Sequence, residues 1–431
     1  MSNPPPKIEL VRALGRWTLV ALVFNGIVGS GIFSLPSTVA RLLGPAALWG
    51  YALAALCILP IVAVVAELGS QYREAGGQYL YARDGLGRFA GIQTGWFLWL
   101  MRLTSAGAVA NVFVTYLGEF LPGVTTGLPR AMVMIAVFAG LAAVNFLGVR
   151  AGAGLSNFFT LIKLTSLGLF IAAGLLLAQH HAPTVLDRTP SAGSWIDVLV
   201  TLVFAYGGFE AALIPAAEVK DPRQDLPRAL GFALSLVAVV YLLVHLVTMW
   251  TVPDLAHSER PLADAARAFD GAHGAAAITV GVLISAGGWL SVQFVSAPRL
   301  TYALAERRDF PPCFAAVHPR FRSPHISILV YAVLVIGLSL YGNFMWNVVL
   351  SVAARLVTYA TSCAALIRLR QIRPEADAWR APAGRFLALL GIAFCVLLIS
   401  RLTAAHAAIV AVVAVIATAN WLAVRQRTEI T

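Results

Sequence analysis

Long apolar runs dominate this chain of 431 residues. We identify twelve of them, at 17–40, 46–68, 89–118, 131–149, 155–179, 195–219, 229–252, 275–298, 326–342, 345–367, 386–402 and 404–423. A helix of about 17–25 apolar residues crosses a bilayer, where the backbone must satisfy its own hydrogen bonds. The alternating pattern of a transmembrane barrel strand is absent. The sequence therefore predicts an all-α integral membrane protein with twelve transmembrane helices.

The composition excludes several other classes. Hydrophobic residues make up 59% of the chain and charged residues 12%, against about 25% charged in a soluble domain. The sequence has no phosphate-binding loop and no Cys/His cluster with metal-ligand spacing. Acids and histidines at membrane depth are isolated, whereas a membrane-embedded enzyme needs them to converge. We therefore expect no cofactor, no metal site and no enzymatic activity.

Basic residues predict the orientation. If the twelve runs span the membrane, 23 of the 31 lysines and arginines fall on one side and six on the other. The positive-inside rule then places both termini in the cytoplasm, as expected for a plasma or inner membrane protein. These basic loops account for the net charge of +11, so lipid is the expected surrounding partner and nucleic acid is not. A homodimer is the alternative to a monomer.

Two of the runs are interrupted. The first contains Asn25-Gly26-Ile27-Val28-Gly29-Ser30-Gly31-Ile32-Phe33-Ser34-Leu35-Pro36, and the sixth contains Phe204-Ala205-Tyr206-Gly207-Gly208-Phe209-Glu210. Glycine and proline disfavour a continuous helix, although glycine also allows close packing of membrane helices. Interruptions at matching positions in two halves are typical of inverted-repeat transporters. We predict a single membrane domain over 1–431, with repeats at 17–180 and 194–367 and two further helices over 386–423.

Such breaks provide a particular chemistry. A half-helix that begins inside the membrane presents free N–H groups and a positive dipole end, which suit a carboxylate. The carbonyl groups freed in the same breaks suit an ammonium group. An α-amino acid carries both groups, so the backbone alone favours a zwitterionic substrate.

Five motifs, in order along the chain, resemble the amino acid–polyamine–organocation superfamily. They are Gly29-Ser30-Gly31-Ile32-Phe33 with Pro36, Glu74-Ala75-Gly76-Gly77-Gln78-Tyr79, Phe204 to Glu210, Glu218-Val219-Lys220-Asp221-Pro222 with Leu226-Pro227, and Pro298-Arg299 to Phe310-Pro311. The resemblance implies the LeuT-type fold of five plus five inverted repeats, with discontinuous helices 1 and 6. It also implies secondary transport of amino acids or related amines.

The resemblance assigns substrate-binding residues by motif. The amides of Gly29 to Gly31 and the Ser30 hydroxyl would hold the carboxylate, and the Ile27 carbonyl would hold the amino group. Helix 6 would contribute through Phe204, Ala205, Gly207 and Glu210. Trp289 matches an aromatic residue that lines the pocket in arginine/agmatine exchangers of the superfamily.

Four charged residues at membrane depth have two interpretations each. Glu210 is either a coupling and gating carboxylate or a structural acid bonded to the broken backbone. By the resemblance, Lys163 replaces a sodium ion and carries a coupled proton; otherwise it snorkels to the interface. Arg102 either attracts an anionic substrate or pairs structurally, with Glu210 or another acid. Arg355 has the same ambiguity. Sodium-independent proton symport is the first expectation, and exchange is the alternative.

Overall fold

The computed structural model describes residues 15–72, 76–147, 153–177, 189–213, 219, 221–374 and 378–428, which form helices joined by turns and contain no strand. The described part contains fourteen α-helices: α1 Arg16–Ile27, α2 Gly31–Leu43, α3 Ala47–Gln71, α4 Gln78–Leu86, α5 Arg88–Leu117, α6 Gly127–Phe146, α7 Ala153–Leu177, α8 Ala192–Tyr206, α9 Pro222–Thr251, α10 Pro261–Glu306, α11 His325–Tyr341, α12 Phe344–Ile372, α13 Gly384–Ile399 and α14 Ala404–Thr428.

The apolar runs coincide with these helices. Within the described ranges, eight helical segments are long and apolar enough to cross a membrane, and α1, α8, α11 and α13 are shorter apolar helices. Large apolar side chains remain exposed along the outside, including Leu169 of α7 and Val415 of α14. Such a surface fits a bilayer and does not fit water. The chain is therefore a multi-pass integral membrane protein.

The first predicted interruption is present. Helix α1 ends at Ile27 and α2 begins at Gly31, so the backbone is not helical over 28–30. Pro36 lies inside α2, where its ring removes one backbone donor without ending the helix.

The second interruption follows the same plan. Helix α8 ends at Tyr206, Gly207 is extended, and a short 3₁₀ segment covers Phe209–Leu213. Pro215 and the Glu218 and Lys220 positions of the next motif lie outside the described residues, as do Glu74 and Ala75 of the earlier one.

Two helical features differ from the expectation. The segment after the second apolar run, where the hydropathy pattern predicts no helix, forms α4. Helix α10 begins fourteen residues before the predicted run, at Pro261, and is kinked at Asp270 and Gly271. Both stretches are too polar to show as apolar runs, so hydropathy alone does not reveal them.

The two breaks pack against each other in the centre of the bundle. Gly208 has a φ of +114°, a conformation that residues with a Cβ atom rarely adopt. A Cβ atom there would also overlap the carbonyl of Gly26. Glycine is therefore required at 208 both for its backbone angles and for the close approach of the two broken segments.

We expect Gly208→Ala to destabilise the protein by more than about 1 kcal/mol, because it combines backbone strain with a clash against fixed backbone. Thermal unfolding of the purified protein in detergent measures the effect. Gly231→Ala is the matched control, since a Cβ atom on Gly231 of α9 meets nothing within 4 Å. The control should be neutral or slightly stabilising. Equal stability of the two variants would contradict this description of the breaks.

Candidate functional site

A cavity of about 250 Å³ lies where the two breaks meet α5, α10 and α12. Nine of the residues expected in the site line it: Ile27, Gly29, Ser30, Gly31, Arg102, Phe204, Gly207, Glu210 and Trp289. Ala205 and Lys163 do not line it; both are buried beside it. The structure thus brings together residues from helices that are far apart in the sequence.

One end of the cavity is suited to an anion. The Ser30 hydroxyl is buried and has no hydrogen-bond partner among the described residues, and it immediately precedes the first turn of α2. The N–H groups of a first turn have no acceptor within their own helix. The Gly29 amide is different, because it donates to the Ile27 carbonyl at 2.7 Å. The Phe33 amide likewise donates to the Ser30 carbonyl at 3.2 Å. The donors suited to an anion are therefore those of Ser30 to Ile32, and Gly29 shapes the turn.

The freed carbonyl groups are partly used by the protein. The Ile27 carbonyl accepts from the Gly29 amide and from the Tyr241 hydroxyl, whose oxygen lies 3.2 Å away. The same hydroxyl lies 3.0 Å from the Ala205 carbonyl oxygen. Tyr241 of α9 therefore bridges the two breaks. Because a carbonyl oxygen has two lone pairs, an ammonium group at Ile27 would have to share or displace one of these donors.

Lys163 of α7 forms hydrogen bonds to the backbone and a side chain at the first break. Its Nζ donates to Asn25 Oδ1 at 2.8 Å and to the Val28 carbonyl at 2.9 Å. The side chain is 1% exposed, so it does not extend to the membrane interface. A cation here balances the carbonyl groups that the broken helix leaves without N–H partners.

Glu210 is held on three sides. It forms an ion pair with Arg355 of α12 and accepts from the Gly208 amide at 2.9 Å. The Tyr359 hydroxyl lies 3.4 Å from its second oxygen. A Cβ atom on Gly207 would overlap the Arg355 guanidinium group, so glycine at 207 admits the arginine. Arg355, rather than Arg102, is the partner of Glu210.

Arg102 has neutral partners. Its Nη1 donates to Gln293 Oε1 at 2.9 Å and to Ser296 Oγ at 3.2 Å, both on α10. The expected acidic partner is not present among the described contacts, because Glu210 is occupied by Arg355. Trp289 lies on the same helix and approaches the first break, with its Nε1 3.7 Å from the position of a Cβ on Gly29.

A second cavity of about 360 Å³ adjoins the first. Arg102, Glu210 and Ser296 line both cavities and so form the wall between them. The second cavity also contacts Gln78 at the start of α4, whose buried side-chain amide has no partner within the described ranges. By the predicted orientation this cavity is on the cytoplasmic side.

Sequence reasoning missed several residues of the site. Tyr241, Gln293 and Ser296 lie in ordinary apolar or mixed helix sequence, which gives no signal of their neighbours. Asn25 lies in the last turn of α1, three residues before the first break, and a polar residue at that point was a usable signal. Arg355 was noted as a charge at depth, but its partner depended on the packing of α12.

We expect the singly substituted Glu210→Gln and Arg355→Gln proteins to be less stable by about 3–5 kcal/mol, because each leaves one buried charge without its partner. The double variant should regain most of this loss, and glutamine at 210 can still accept from the Gly208 amide. Unfolding temperatures of the four proteins in one detergent form the measurement. Additive losses in the double variant would show that the two charges do not interact.

Residues 14–424 match the family described as amino acid permease. The chain is 28% identical to the serine/threonine exchanger SteT of Bacillus subtilis over 397 residues, which cover 89% of each protein. It is 25% identical to the branched-chain amino acid permease BcaP of the same species over 91% of the chain and 89% of the relative. The mouse cationic amino acid transporter 4 is 29% identical over 77% of the chain and 55% of the relative. The chain therefore belongs to the amino acid permease family of the amino acid–polyamine–organocation superfamily.

Proposed function

We propose that the protein is a sodium-independent, proton-coupled symporter of amino acids in the cytoplasmic membrane. The observation that carries this proposal is the cavity at the meeting point of two broken helices, with the Lys163 ammonium group bound to the carbonyl of Val28 in the first break. Transport would proceed by alternating access around this cavity, with both termini in the cytoplasm.

Helix packing supports the proposed arrangement of twelve spans with five plus five inverted repeats. In this numbering α1 and α2 form span 1, α3 is span 2, α8 begins span 6 and α9 is span 7. A contact between two spans should then recur between the two spans that correspond to them, five positions away, in the other repeat. Span 1 contacts span 7 through α1 and α9, and span 2 contacts span 6 through α3 and α8. Likewise α5 packs on α12 and α7 packs on α10. Such paired contacts are expected from two repeats related by a pseudo-two-fold axis.

The size and polarity of the cavity support an amino acid substrate. Its volume of about 250 Å³ lies below the range of about 300–1,000 Å³ found for drug-sized ligands. The unpartnered Ser30 hydroxyl and the first turn of α2 are suited to the α-carboxylate. Phe204 and Trp289 supply apolar walls, and relatives of the chain are amino acid transporters.

The position of Lys163 supports coupling to protons without sodium. Carbonyl and amide oxygens around a bound sodium ion would make the same contacts that the Lys163 Nζ makes with Asn25 and Val28. A fixed ammonium group leaves no need for that ion. Unlike a metal ion, a lysine in an apolar environment can release a proton, so its charge can change during the transport cycle.

Exchange is the second candidate. It is favoured by the similarity to a protein named as a serine/threonine exchanger. In an exchanger, the empty carrier does not return across the membrane, and a substrate on the opposite side drives uptake. The Glu210–Arg355 pair at the second break is a candidate for the element that prevents return of the empty carrier.

Gly31→Val should abolish amino acid uptake into proteoliposomes while leaving an inserted, folded protein. A Cβ atom on Gly31 would lie 3.0 Å from Ala205 Cα, so the larger side chain is forced toward the cavity and its amides. Ser30→Leu should have the same effect by replacing the unpartnered hydroxyl. Gly168→Val is the matched control, because Gly168 faces open space on the exposed side of α7. Full uptake by either variant would remove the first break from the binding site.

Lys163→Ala should lose accumulation driven by a pH gradient, because no side chain remains to carry the coupled proton at the first break. Substrate binding, measured by isothermal titration at fixed pH, should weaken less than accumulation. Leu164→Ala, on the exposed face of the same helix, is the control.

Two outcomes would contradict this assignment. Sodium-dependent uptake by the unmodified protein would exclude the role given to Lys163. Undiminished pH-driven accumulation by Lys163→Ala would leave that residue a structural role alone. Uptake driven by substrate inside the vesicle, without a pH gradient, would favour exchange.

A further inference from the structure

The charges that line the binding cavity do not balance. Among the described residues that line it, the charged side chains are Arg102, Glu210 and Arg355. Glu210 forms its ion pair with Arg355, so the positive charge of Arg102 has no acidic partner in the cavity. A zwitterionic substrate carries no net charge and leaves this excess unchanged.

The contacts of Arg102 leave part of its guanidinium group available. Both hydrogen bonds of the side chain run from Nη1, to Gln293 Oε1 at 2.9 Å and Ser296 Oγ at 3.2 Å. The Nε atom is buried and has no hydrogen-bond partner in the part of the chain that the structure describes. Gln293 and Ser296 fix the side chain in place, and neither reduces its charge. A buried donor without an acceptor is unfavourable, so an acceptor in the cavity would stabilise this side chain.

A carboxylate supplies both the hydrogen-bond acceptor and the negative charge that Arg102 lacks in the cavity. It accepts two parallel hydrogen bonds from a guanidinium group, which is the strongest common pairing of charged groups in proteins. It also supplies the one negative charge needed for neutrality. A cationic side chain would instead place a second uncompensated positive charge at membrane depth, where such charges are expensive.

We propose that the preferred substrate is an acidic amino acid whose side-chain carboxylate binds Arg102. This inference rests on the proposed function and names the substrate class of that site. The α-carboxylate occupies the first turn of α2 near Ser30, and the side chain extends toward α5 and α10, where Arg102 and Gln293 meet. Arg102 determines specificity, and Gln293 and Ser296 position it.

The location of Arg102 also sets the direction in which the substrate side chain points. Arg102, Glu210 and Ser296 separate the binding cavity from the second cavity beside Gln78. A carboxylate on Arg102 therefore faces the wall that must open for release on that side. Charge neutralisation of Arg102 by substrate and opening of this wall involve the same side chain.

The test compares acidic amino acids with their neutral isosteres. Purified protein in proteoliposomes is assayed for uptake of radiolabelled L-aspartate and L-glutamate, in competition with L-asparagine and L-glutamine. The unmodified protein should prefer the acids by at least about tenfold, since removal of one member of a buried charge pair generally has an effect of this size or larger. Arg102→Gln should abolish this preference, which is measured as the ratio of acid to amide uptake.

A second variant should remove the preference for acidic amino acids without removing the arginine. Gln293→Glu places a carboxylate at the position already bonded to Arg102, so it neutralises the charge from within the protein. It should lose the preference for acids to a similar degree. Arg130→Gln is the matched control: Arg130 of α6 bonds to Asn111 and the Ser339 carbonyl and does not line the cavity. It should retain the full preference.

The results separate the two proposals. Uptake of neutral or cationic amino acids without preference for acids overturns the inference and leaves amino acid transport in place. An acid preference that persists in a folded Gln293→Glu or Arg102→Gln protein also overturns it. Failure of the unmodified protein to take up any amino acid contradicts the proposed function itself.

Discussion

The breaks in two helices inside an apolar environment are the constraint on which the rest of this structure depends. An unpaired backbone N–H or carbonyl group in hydrocarbon is unfavourable by several kcal/mol, so each break needs partners from elsewhere in the chain. Lys163 bonds to the Val28 carbonyl, Tyr241 lies between the carbonyls of Ile27 and Ala205, and Glu210 accepts from the Gly208 amide. These side chains come from α7, α9 and the second break. Their hydrogen bonds to the broken backbone therefore hold α7 and α9 against the breaks.

Two polar groups that lack a protein partner lie in the binding cavity. Ser30 Oγ and Arg102 Nε are buried and have no hydrogen-bond partner among the described residues, and both residues line this cavity. One is beside the positive end of a half-helix and the other is a guanidinium group without an acid. A ligand with acceptor oxygens at two points could accept from the Ser30 hydroxyl and from the Arg102 guanidinium group. The proposed acidic substrate follows from this incomplete pairing.

Glycine has a different role at each position of the breaks. At Gly208 the backbone angles and the nearby Gly26 carbonyl exclude any side chain, and at Gly207 the space is filled by the Arg355 guanidinium group. At Gly31 the neighbour is the backbone of Ala205, which brings the two breaks together. The two interrupted segments therefore form a single structural unit, although 173 residues lie between Gly31 and Ala205 in the sequence.

The sequence by itself determined the helical membrane class, the limits of most helices and the position of both breaks, because apolar length and Gly/Pro content act locally along the chain. It also indicated Lys163, Glu210 and Arg102 as charges that need an explanation at membrane depth. Only the tertiary structure decided which charge meets which: Arg355 binds Glu210, Arg102 binds Gln293, and Lys163 binds Asn25. The physical reason is that these partners lie on helices far apart in sequence, and their distances depend on how the helices pack.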